Sequence, residues 1–379
     1  MIPFNKPYIS GNELKYIEDV ISSRELAGDG KYTKKCEEFF EQRFGFKKAI
    51  LTTSCTDALE MAVLLMDIQP GDEVIIPSFT YVSTANVFAM HGARIVFADC
   101  KSHFPILDEE SIEELITSKT KAIVPVHYSG VSCNMERIME IALRHNIFVL
   151  EDAAMAINCH FKSSKNEVHN LGGIGHFSAF SFHDTKNVSS GEGGLLVIND
   201  DRFIERAQTI RDKGTNKKSF LNGESDKYEW VDLGSSFSPN EITAAFLYAQ
   251  LEALDVIQEK RMEIWNEYQF QFNDIQYLGF ELPLIPSYSE SNGHVFFIIC
   301  DNKNRREKLI QFMRKNGVKL SFHYNSLHKT KYYLKENKLE NIPNSEKFSD
   351  CLVRFPIYPE LKKEDVRYIV SIVREFFSN

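Results

Sequence analysis

Short apolar segments alternate with helix-like segments over the first 150 residues, and this alternation is the strongest constraint on the fold. The strand-like segments span residues 49–52, 73–76, 94–97, 122–126 and 146–152. Between them, apolar residues recur mainly at helical spacing. Nearly continuous apolar strands joined by helices are typical of a mostly parallel sheet with helices on both faces. We therefore expect an α/β fold.

The second part of the chain predicts a smaller unit. Residues 240–272 follow a helical pattern almost without interruption, long enough to connect two domains. Further on, residues 295–300 and 318–322 resemble strands flanking a helix over 305–315, and a C-terminal helix follows. Residues 213–229 are polar and charged, which indicates a long exposed loop. We expect a large domain over residues 1–250 and a small α+β domain over residues 251–379.

Composition narrows the class of protein. The chain has 379 residues, 43% of them hydrophobic, and a formal net charge of −9, which gives no support to a nucleic-acid partner. The seven cysteines are scattered without a C-x-x-C pair, which indicates free thiols in a reducing cytoplasm and argues against a zinc site. No leader-like start and no stretch of about 20 apolar residues is present, so we expect no membrane association.

One lysine lies in a polar loop between two apolar segments. Lys186 belongs to the run SAFSFHDTKNVSSGEGG at residues 178–194, with apolar residues on both sides of the loop. It is open to two interpretations. It is either a turn residue of a β-hairpin or a Schiff-base lysine, because an amine in a partly desolvated site has a lowered pKa and becomes a nucleophile towards an aldehyde.

Two upstream features favour the second interpretation. Asp152 ends a strand-like segment, at the edge where open α/β sheets bind ligands. Ser54, Cys55 and Thr56 follow another strand and open an apolar helix, and a helix N-terminus with hydroxyl groups suits a phosphate. Each feature also has a simple structural explanation, as a loop acid or a helix cap. Together they indicate pyridoxal 5'-phosphate, whose ring nitrogen needs a carboxylate partner.

Several motifs carry a resemblance to a known family over nearly the whole chain. They are PFNKP at 3–7, SCT at 54–56, PSFTYVSTAN at 77–86, PVHY at 125–128, EDAA at 151–154, SFHDTKN at 181–187 and GEGG at 191–194. The chain resembles the sugar-nucleotide aminotransferases of the DegT/DnrJ/EryC1/StrS family, which are fold-type I enzymes that use pyridoxal 5'-phosphate. This resemblance implies an enzyme, although a regulatory protein that binds the cofactor without turnover is an alternative.

The resemblance also implies roles for individual residues. Lys186 would hold the cofactor and then shuttle a proton, and Asp152 would pair with the ring nitrogen. The remaining residues that the motifs assign to the cofactor are Ser54, Cys55, Thr56 and Ser181 at the phosphate, and Tyr81 stacked on the ring. For Tyr81 the alternative is a core tyrosine at a helix start. His323, Tyr324 and His328 resemble the segment near the sugar, with a helix cap or core contact as the alternative for His328.

Two positions depart from the family pattern. Met155 stands where Gln or His usually follows the Asp-Ala-Ala motif, and a thioether is only a weak acceptor near the cofactor. In the segment 234–239, many members carry an Asn that reaches the phosphate in the neighbouring subunit. Ser236 or Ser238 is the candidate substitute here.

The closest resemblance is to enzymes that aminate C4 of a dTDP-4-keto-6-deoxyhexose, carried by residues 1–7, 26–33 and 211–216. It implies a dTDP-sugar acceptor, L-glutamate as amino donor and a 4-amino-4,6-dideoxygalactose product for a surface polysaccharide such as an O-antigen. A 3-keto sugar or a GDP- or UDP-linked sugar is the alternative. It also implies a homodimer with shared active sites. Candidate cations for the diphosphate are Lys31, Arg211, Lys213, Lys217 and Lys218, and for each of them a solvated basic loop is the alternative.

Overall fold

A computed structural model describes residues 1–378, without the side chain of Lys218. The strands are β1 (Lys48–Thr52), β2 (Glu73–Pro77), β3 (Arg94–Ala98), β4 (Thr120–Ile123), β5 (Phe148–Asp152), β6 (His160–Lys162), β7 (Val168–Asn170), β8 (Phe177–Ser181), β9 (Gly194–Ile198), β10 (Ser289–Glu290), β11 (Phe296–Ile299) and β12 (Leu352–Phe355). The helices are α1 (Glu13–Ser23), α2 (Lys31–Phe44), α3 (Cys55–Leu65), α4 (Ser83–Met90), α5 (Ile112–Leu115), α6 (Met135–His145), α7 (Ile204–Arg211), α8 (Lys217–Leu221), α9 (Glu241–Glu252), α10 (Leu254–Asn273), α11 (Lys303–Lys315), α12 (Pro343–Cys351) and α13 (Lys363–Ser378).

The large sheet has seven strands in the order β1-β9-β8-β5-β4-β2-β3. Strands β3, β2, β4, β5 and β8 are parallel, whereas β9 runs antiparallel to both β8 and β1. The prediction of an α/β fold with a mostly parallel sheet is confirmed. The reversal of β9 places its first residue, Gly194, beside Thr52 at the end of β1 and Ser181 at the end of β8.

Alternate residues of the strands face two separate hydrophobic cores. Leu195 and Val197 of β9 belong to one core with helices α2, α6 and α9, while Leu196 and Ile198 belong to the other with α3, α4 and α7. The sheet is therefore covered by helices on both faces, which explains why its strands carry apolar residues on both faces. Among residues 1–378, no helix is both long and apolar enough to cross a membrane.

A third core contains the C-terminal half of α10 together with α11, β11, β12 and α13. Ile2 also packs against it and bridges to Val318, so the first residues of the chain join this unit. The division at residue 250 stays a prediction.

The helical pattern over 240–272 is confirmed as two helices, α9 and α10, which meet at Ala253. Two other local predictions were wrong. Residues 318–322 form only isolated bridges, with Ser321 opposite Arg354, and the strand that pairs with β11 is β12. The segment 213–229 is not entirely loop, because it contains the short helix α8.

Candidate active site

A cavity of about 440 Å³ opens at the edge of the sheet where the parallel strands end. Asp152 at the end of β5, Ser181 at the end of β8 and Ser54 after β1 all line it, and so does Lys186. The helix start at Ser54, the carboxylate of Asp152 and the amine of Lys186 are far apart in sequence and meet in one cavity. Phe355 and Ile357 of the third core also line it, and so does the neighbouring Arg354 of β12.

The N-terminus of α3 forms one wall of this cavity. Ser54 caps the helix, since the amide of Asp57 donates a hydrogen bond to Ser54 Oγ at 3.1 Å. The amides of Cys55 and Thr56 lie in the first turn, where no carbonyl of the helix can accept from them. Thr56 Oγ1 donates to Ser83 Oγ at 2.9 Å. Free amides at the positive end of a helix suit a phosphate group.

Gly194 allows the strand β9 to approach that helix end closely. A Cβ atom at this position would lie 2.3 Å from the carbonyl carbon and oxygen of Ser54 and 2.4 Å from the amide nitrogen of Cys55. Only a glycine fits between the backbones of β9 and α3 at these distances.

Asp152 is held in place by hydrogen bonds from its own sheet edge and from α4. Its Oδ2 accepts from Thr84 Oγ1 at 2.7 Å, and its Oδ1 accepts from the amide of Ala154 at 3.2 Å. Thr84 Oγ1 in turn lies 3.0 Å from Thr80 Oγ1, and this contact fixes the orientation of the Thr84 hydroxyl. The carboxylate is 5% exposed, so a cationic ring nitrogen in the cavity would be a strong partner.

Lys186 lies in the turn that joins the antiparallel strands β8 and β9. Burial lowers the pKa of Lys186, the Arg354 guanidinium acts in the same direction, and the Asp152 carboxylate partly opposes both. A larger fraction of the amine is therefore neutral and nucleophilic than in an exposed lysine. The two interpretations of Lys186 are compatible, because the residue is in a hairpin turn and also faces the cavity.

Four other residues assigned to the cofactor also line the cavity, namely Cys55, Tyr81, Met155 and Ser181. Tyr81 is 58% exposed just before α4, so it is not a core tyrosine. Met155 is nearly buried, and its Sδ accepts a hydrogen bond from the amide of Ser129 at 3.3 Å. The amide of His183 donates to Ser181 Oγ at 3.4 Å. Burial raises the pKa of the Cys55 thiol well above its ordinary value, which keeps it neutral.

Of the residues assigned to the sugar, His323 and Tyr324 line the cavity. Their rings stack with centroids 3.9 Å apart and planes 8° apart. His323 Nδ1 lies 3.2 Å from the hydroxyl of Tyr128. Burial lowers the pKa of His323 and raises that of Tyr324, so both rings are neutral at physiological pH.

The prediction for His328 was wrong. This side chain is fully buried and does not line the cavity. Its Nδ1 lies 2.6 Å from Ser78 Oγ and its Nε2 lies 3.2 Å from Glu346 Oε1. The structure therefore shows the core contact, which was the alternative interpretation for His328.

Lys31, Ser236 and Arg211 also lie outside the cavity of their own chain. Lys31 is exposed at the start of α2 and pairs with Asp19 at 2.6 Å, while Ser236 is exposed beside Phe237. Lys31 and Ser236 could act only at the site of another copy, and that role stays a prediction.

Arg211 is buried against Glu37 at 3.3 Å and Asp29 at 3.1 Å, so its charge is already paired within the chain. Lys213 and Lys217 are exposed away from the cavity. The side chain of Lys218 lies outside the described part of the chain.

Sequence reasoning missed several cavity residues. His127 is buried with its Nε2 2.9 Å from Glu151, and its Nδ1 accepts from the amide of Cys133 at 3.3 Å. Arg261 and Arg354 are cationic side chains of α10 and β12 that line the same cavity. The sequence signal for Arg354 was a single arginine within the apolar segment that forms β12.

These residues fit pyridoxal 5'-phosphate. The N-terminus of α3 suits its phosphate, Asp152 suits its ring nitrogen and Lys186 suits its aldehyde, all within one cavity. When bound, the cofactor supplies a protonated pyridine ring that withdraws electrons from the amino-bearing carbon. The fold and the cavity together define a fold-type I enzyme that handles amino groups.

Comparison with known proteins places the chain in a family. Residues 7–374 match the DegT/DnrJ/EryC1/StrS aminotransferase family, and the chain belongs to it. The spore coat polysaccharide biosynthesis protein SpsC of Bacillus subtilis is 32% identical, over 99% of this chain and 96% of SpsC.

Solved structures agree with this placement. PseC of Helicobacter pylori, an aminotransferase involved in the biosynthesis of pseudoaminic acid, is 26% identical with a TM-score of 0.90. DesV of S. venezuelae is 28% identical with a TM-score of 0.89, and each alignment covers 100% of this chain and 99% of the other. The predictions of an aminotransferase and of pyridoxal 5'-phosphate as its cofactor are confirmed by the family.

Proposed function

We propose that this enzyme transfers an amino group from L-glutamate to C4 of a dTDP-4-keto-6-deoxyhexose. The acceptor is dTDP-4-keto-6-deoxyglucose, and the product is the 4-amino-4,6-dideoxygalactose nucleotide, with an axial amine. The reaction takes place in the cytoplasm and supplies a surface polysaccharide. The relative SpsC, named for polysaccharide biosynthesis, supports a sugar acceptor.

The observation that carries the aminotransferase chemistry is the convergence of Lys186, Asp152 and the α3 N-terminus in one cavity. Lys186 holds the cofactor and, once released by the donor, moves a proton with its Nζ. Asp152 keeps a proton on the ring nitrogen, because its carboxylate is fixed by Thr84 and shielded from water. His323 and Tyr324 face the acceptor sugar.

The choice of C4 rests on the resemblance in residues 1–7, 26–33 and 211–216. Part of the first segment lies at the site, since Phe4 and Asn5 line the cavity. Asn5 Nδ2 also donates to the carbonyl oxygen of Asp184 at 3.0 Å, next to the loop of Lys186.

The substrate is tested by incubating the purified enzyme with L-glutamate and a panel of keto-sugar nucleotides. We expect amination of the dTDP-4-keto-6-deoxy sugar, with proton couplings at H4 that identify an axial amine. Turnover with only a 3-keto isomer or a GDP- or UDP-linked sugar would replace the proposed acceptor and leave the aminotransferase chemistry intact.

Asp152→Asn tests the site itself. The neutral amide cannot hold the ring proton, so we expect conversion of the cofactor by L-glutamate to slow by about 100- to 5,000-fold, from a loss of about 3–5 kcal/mol. Cofactor content should stay at the wild-type level. Asp184→Asn is the matched control, because Asp184 is an exposed acid of the same loop. A near wild-type rate for Asp152→Asn would show that Asp152 has no role at the ring.

The proposed assembly is a homodimer with shared active sites. Tyr228, Trp230, Val231 and Leu233 lie within six residues and are 55%, 77%, 55% and 62% exposed. A second copy of the chain would remove these apolar side chains from water. Light scattering on the purified enzyme checks the assembly, and an active monomer would refute it.

A further inference from the structure

His294 is a buried histidine of the cavity whose ring is neutral. It lies two residues before β11 and is 6% exposed, and its amide donates a hydrogen bond to Asn292 Oδ1 at 3.0 Å. Burial lowers the pKa of His294 well below its ordinary value, and the positive charges of Lys186 and Arg261 act in the same direction. The ring therefore carries a hydrogen on only one of its two nitrogens at physiological pH.

The side-chain amide of Asn187 determines which ring nitrogen carries that hydrogen. Its Nδ2 donates to the carbonyl oxygen of Asn292 at 3.1 Å. Its other atom, Oδ1, therefore faces His294 Nδ1 at 2.8 Å. An amide oxygen can only accept, so Nδ1 is protonated and Nε2 keeps a free lone pair. Asn292 is itself fixed, because its Nδ2 donates to the carbonyl oxygens of Met155 and Ile157, both at 2.9 Å.

The unprotonated Nε2 is available to a molecule in the cavity. In the part of the chain that the structure describes, no group donates a hydrogen bond to Nε2, and His294 lines the cavity. This acceptor lies close to the reacting amine, because Asn187 directly follows Lys186 and the charge of Lys186 acts on the His294 ring. The partner of Nε2 must therefore be a hydrogen-bond donor near the reacting carbon of a substrate.

The two reactants of an aminotransferase differ in what they offer to such an acceptor. An amino acid reacts through its amine, and the carboxylate on the same carbon has no hydrogen to donate. A keto sugar carries a hydroxyl group on a carbon next to its carbonyl carbon, and a hydroxyl group can donate. A neutral imidazole with a free lone pair thus suits the sugar and not the amino acid.

We propose that His294 Nε2 accepts a hydrogen bond from the hydroxyl group on the carbon next to the keto carbon of the acceptor sugar. This inference rests on the proposed function, which makes that group the C3 hydroxyl of a 4-keto-6-deoxy sugar. Asn187 is then a positioning residue, because it holds the hydrogen on Nδ1 and leaves Nε2 free to accept. The contact orients the keto carbon towards Lys186 and rejects a sugar that lacks the hydroxyl.

The tautomer of His294 is measured first, on the holoenzyme without substrate. Nitrogen NMR of enzyme isotopically labelled at its histidine rings distinguishes a protonated from an unprotonated ring nitrogen. The signals of His294 are those lost in His294→Asn. We expect a protonated Nδ1 and an unprotonated Nε2. A hydrogen on Nε2 would overturn the inference, whichever sugar is the acceptor.

Recognition of the hydroxyl is measured by calorimetry on the holoenzyme with two unreactive probes. These are dTDP-6-deoxyglucose and its 3-deoxy counterpart, which have no keto group and cannot be aminated. We expect the wild type to bind the first probe about 10-fold more tightly, because only this probe has a C3 hydroxyl that donates to Nε2.

Two substitutions separate recognition from a structural role. The amide of an asparagine side chain reaches the place of Nδ1, and that of a glutamine reaches the place of Nε2. His294→Asn should keep the contact with Asn187 and bind both probes equally. His294→Gln should still prefer the probe with the C3 hydroxyl, by about 3-fold.

The matched control is His169→Asn, because His169 is exposed on β7 and does not line the cavity. It should keep the wild-type preference. Far-ultraviolet circular dichroism and cofactor content verify that each variant is folded and loaded.

Three binding results would overturn the inference: equal affinity of the wild type for both probes, a full preference in His294→Asn, or a stronger preference in His294→Asn than in His294→Gln. The last result would assign His294 a structural role alone. Failure of the proposed function gives a different result, because the wild type would then bind neither dTDP probe. The same pair of probes, made with the nucleotide that the enzyme accepts, then decides the role of His294.

Discussion

Substitution of Gly194 by alanine tests whether the N-terminus of α3 holds the cofactor phosphate. The added methyl group would lie 2.3 Å from the carbonyl carbon of Ser54 and 2.4 Å from the amide nitrogen of Cys55. These are backbone atoms, so no change of rotamer relieves the overlap. Strand β9 and the start of α3 must move apart instead.

The size of the movement gives the expected loss of affinity. Ordinary contacts begin at 3.4 Å, so the two backbones must separate by about 1 Å. A hydrogen bond to phosphate that lengthens by about 1 Å loses most of its energy, and a bond to a charged group contributes about 1.5–3 kcal/mol. Loss of one such bond lowers affinity for pyridoxal 5'-phosphate by about 10- to 150-fold, and loss of a second bond lowers it further.

The assay is a titration of the apoprotein with pyridoxal 5'-phosphate, followed by protein fluorescence. Gly191→Ala is the control from the same loop, because a methyl group there would meet no atom within 4 Å. Its φ of +82° makes alanine unfavourable by about 1–2 kcal/mol in stability, with no expected effect on cofactor affinity. Wild-type affinity in a folded Gly194→Ala protein would show that the phosphate binds elsewhere.

Two other predictions follow from buried ionisable groups. The pKa of Lys186 is lowered from 10.5, so capture of pyridoxal 5'-phosphate by the apoprotein should rise with pH to a midpoint below 10.5. A midpoint at or above that value in a stopped-flow pH series would contradict the lowered pKa. The carboxylate of Glu241 accepts from the amides of Gly30, Tyr32 and Thr33 at 3.1, 2.6 and 3.0 Å at the start of α2. Glu241→Gln should therefore lower the free energy of unfolding by about 2–3 kcal/mol, and urea titration with an unchanged midpoint would refute this.

The sheet and the core of the site were predictable because they depend on local patterns. Apolar strands that alternate with helices specify a mostly parallel sheet, and residues at the ends of such strands share one edge. Asp152 and Ser54 were therefore expected at the same edge of the sheet once the strands were assigned. The motif around Lys186 then identified this lysine as the third component of the site.

Other parts of the site depend on contacts between residues far apart in sequence. His328 bonds to Ser78, 250 positions away, and no local pattern distinguishes that contact from one with a ligand. Lys31 pairs with Asp19 through a side-chain geometry that only the folded chain defines. Arg354 was missed for the same reason, since a lone arginine in an apolar segment says nothing about which side chains surround it.

The reversal of β9 explains how one loop brings so many components to the site. After a parallel strand, the chain normally crosses the sheet through a helix and returns at the opposite edge. Here the chain turns directly from β8 into the antiparallel β9, so residues 182–193 remain at the edge where Asp152 and Ser54 lie. That turn presents Lys186 to the cavity, and Gly194 brings β9 against the phosphate end of α3. The hairpin therefore keeps Lys186 and Gly194 at the same edge of the sheet, whereas a helical crossover would return the chain to the opposite edge.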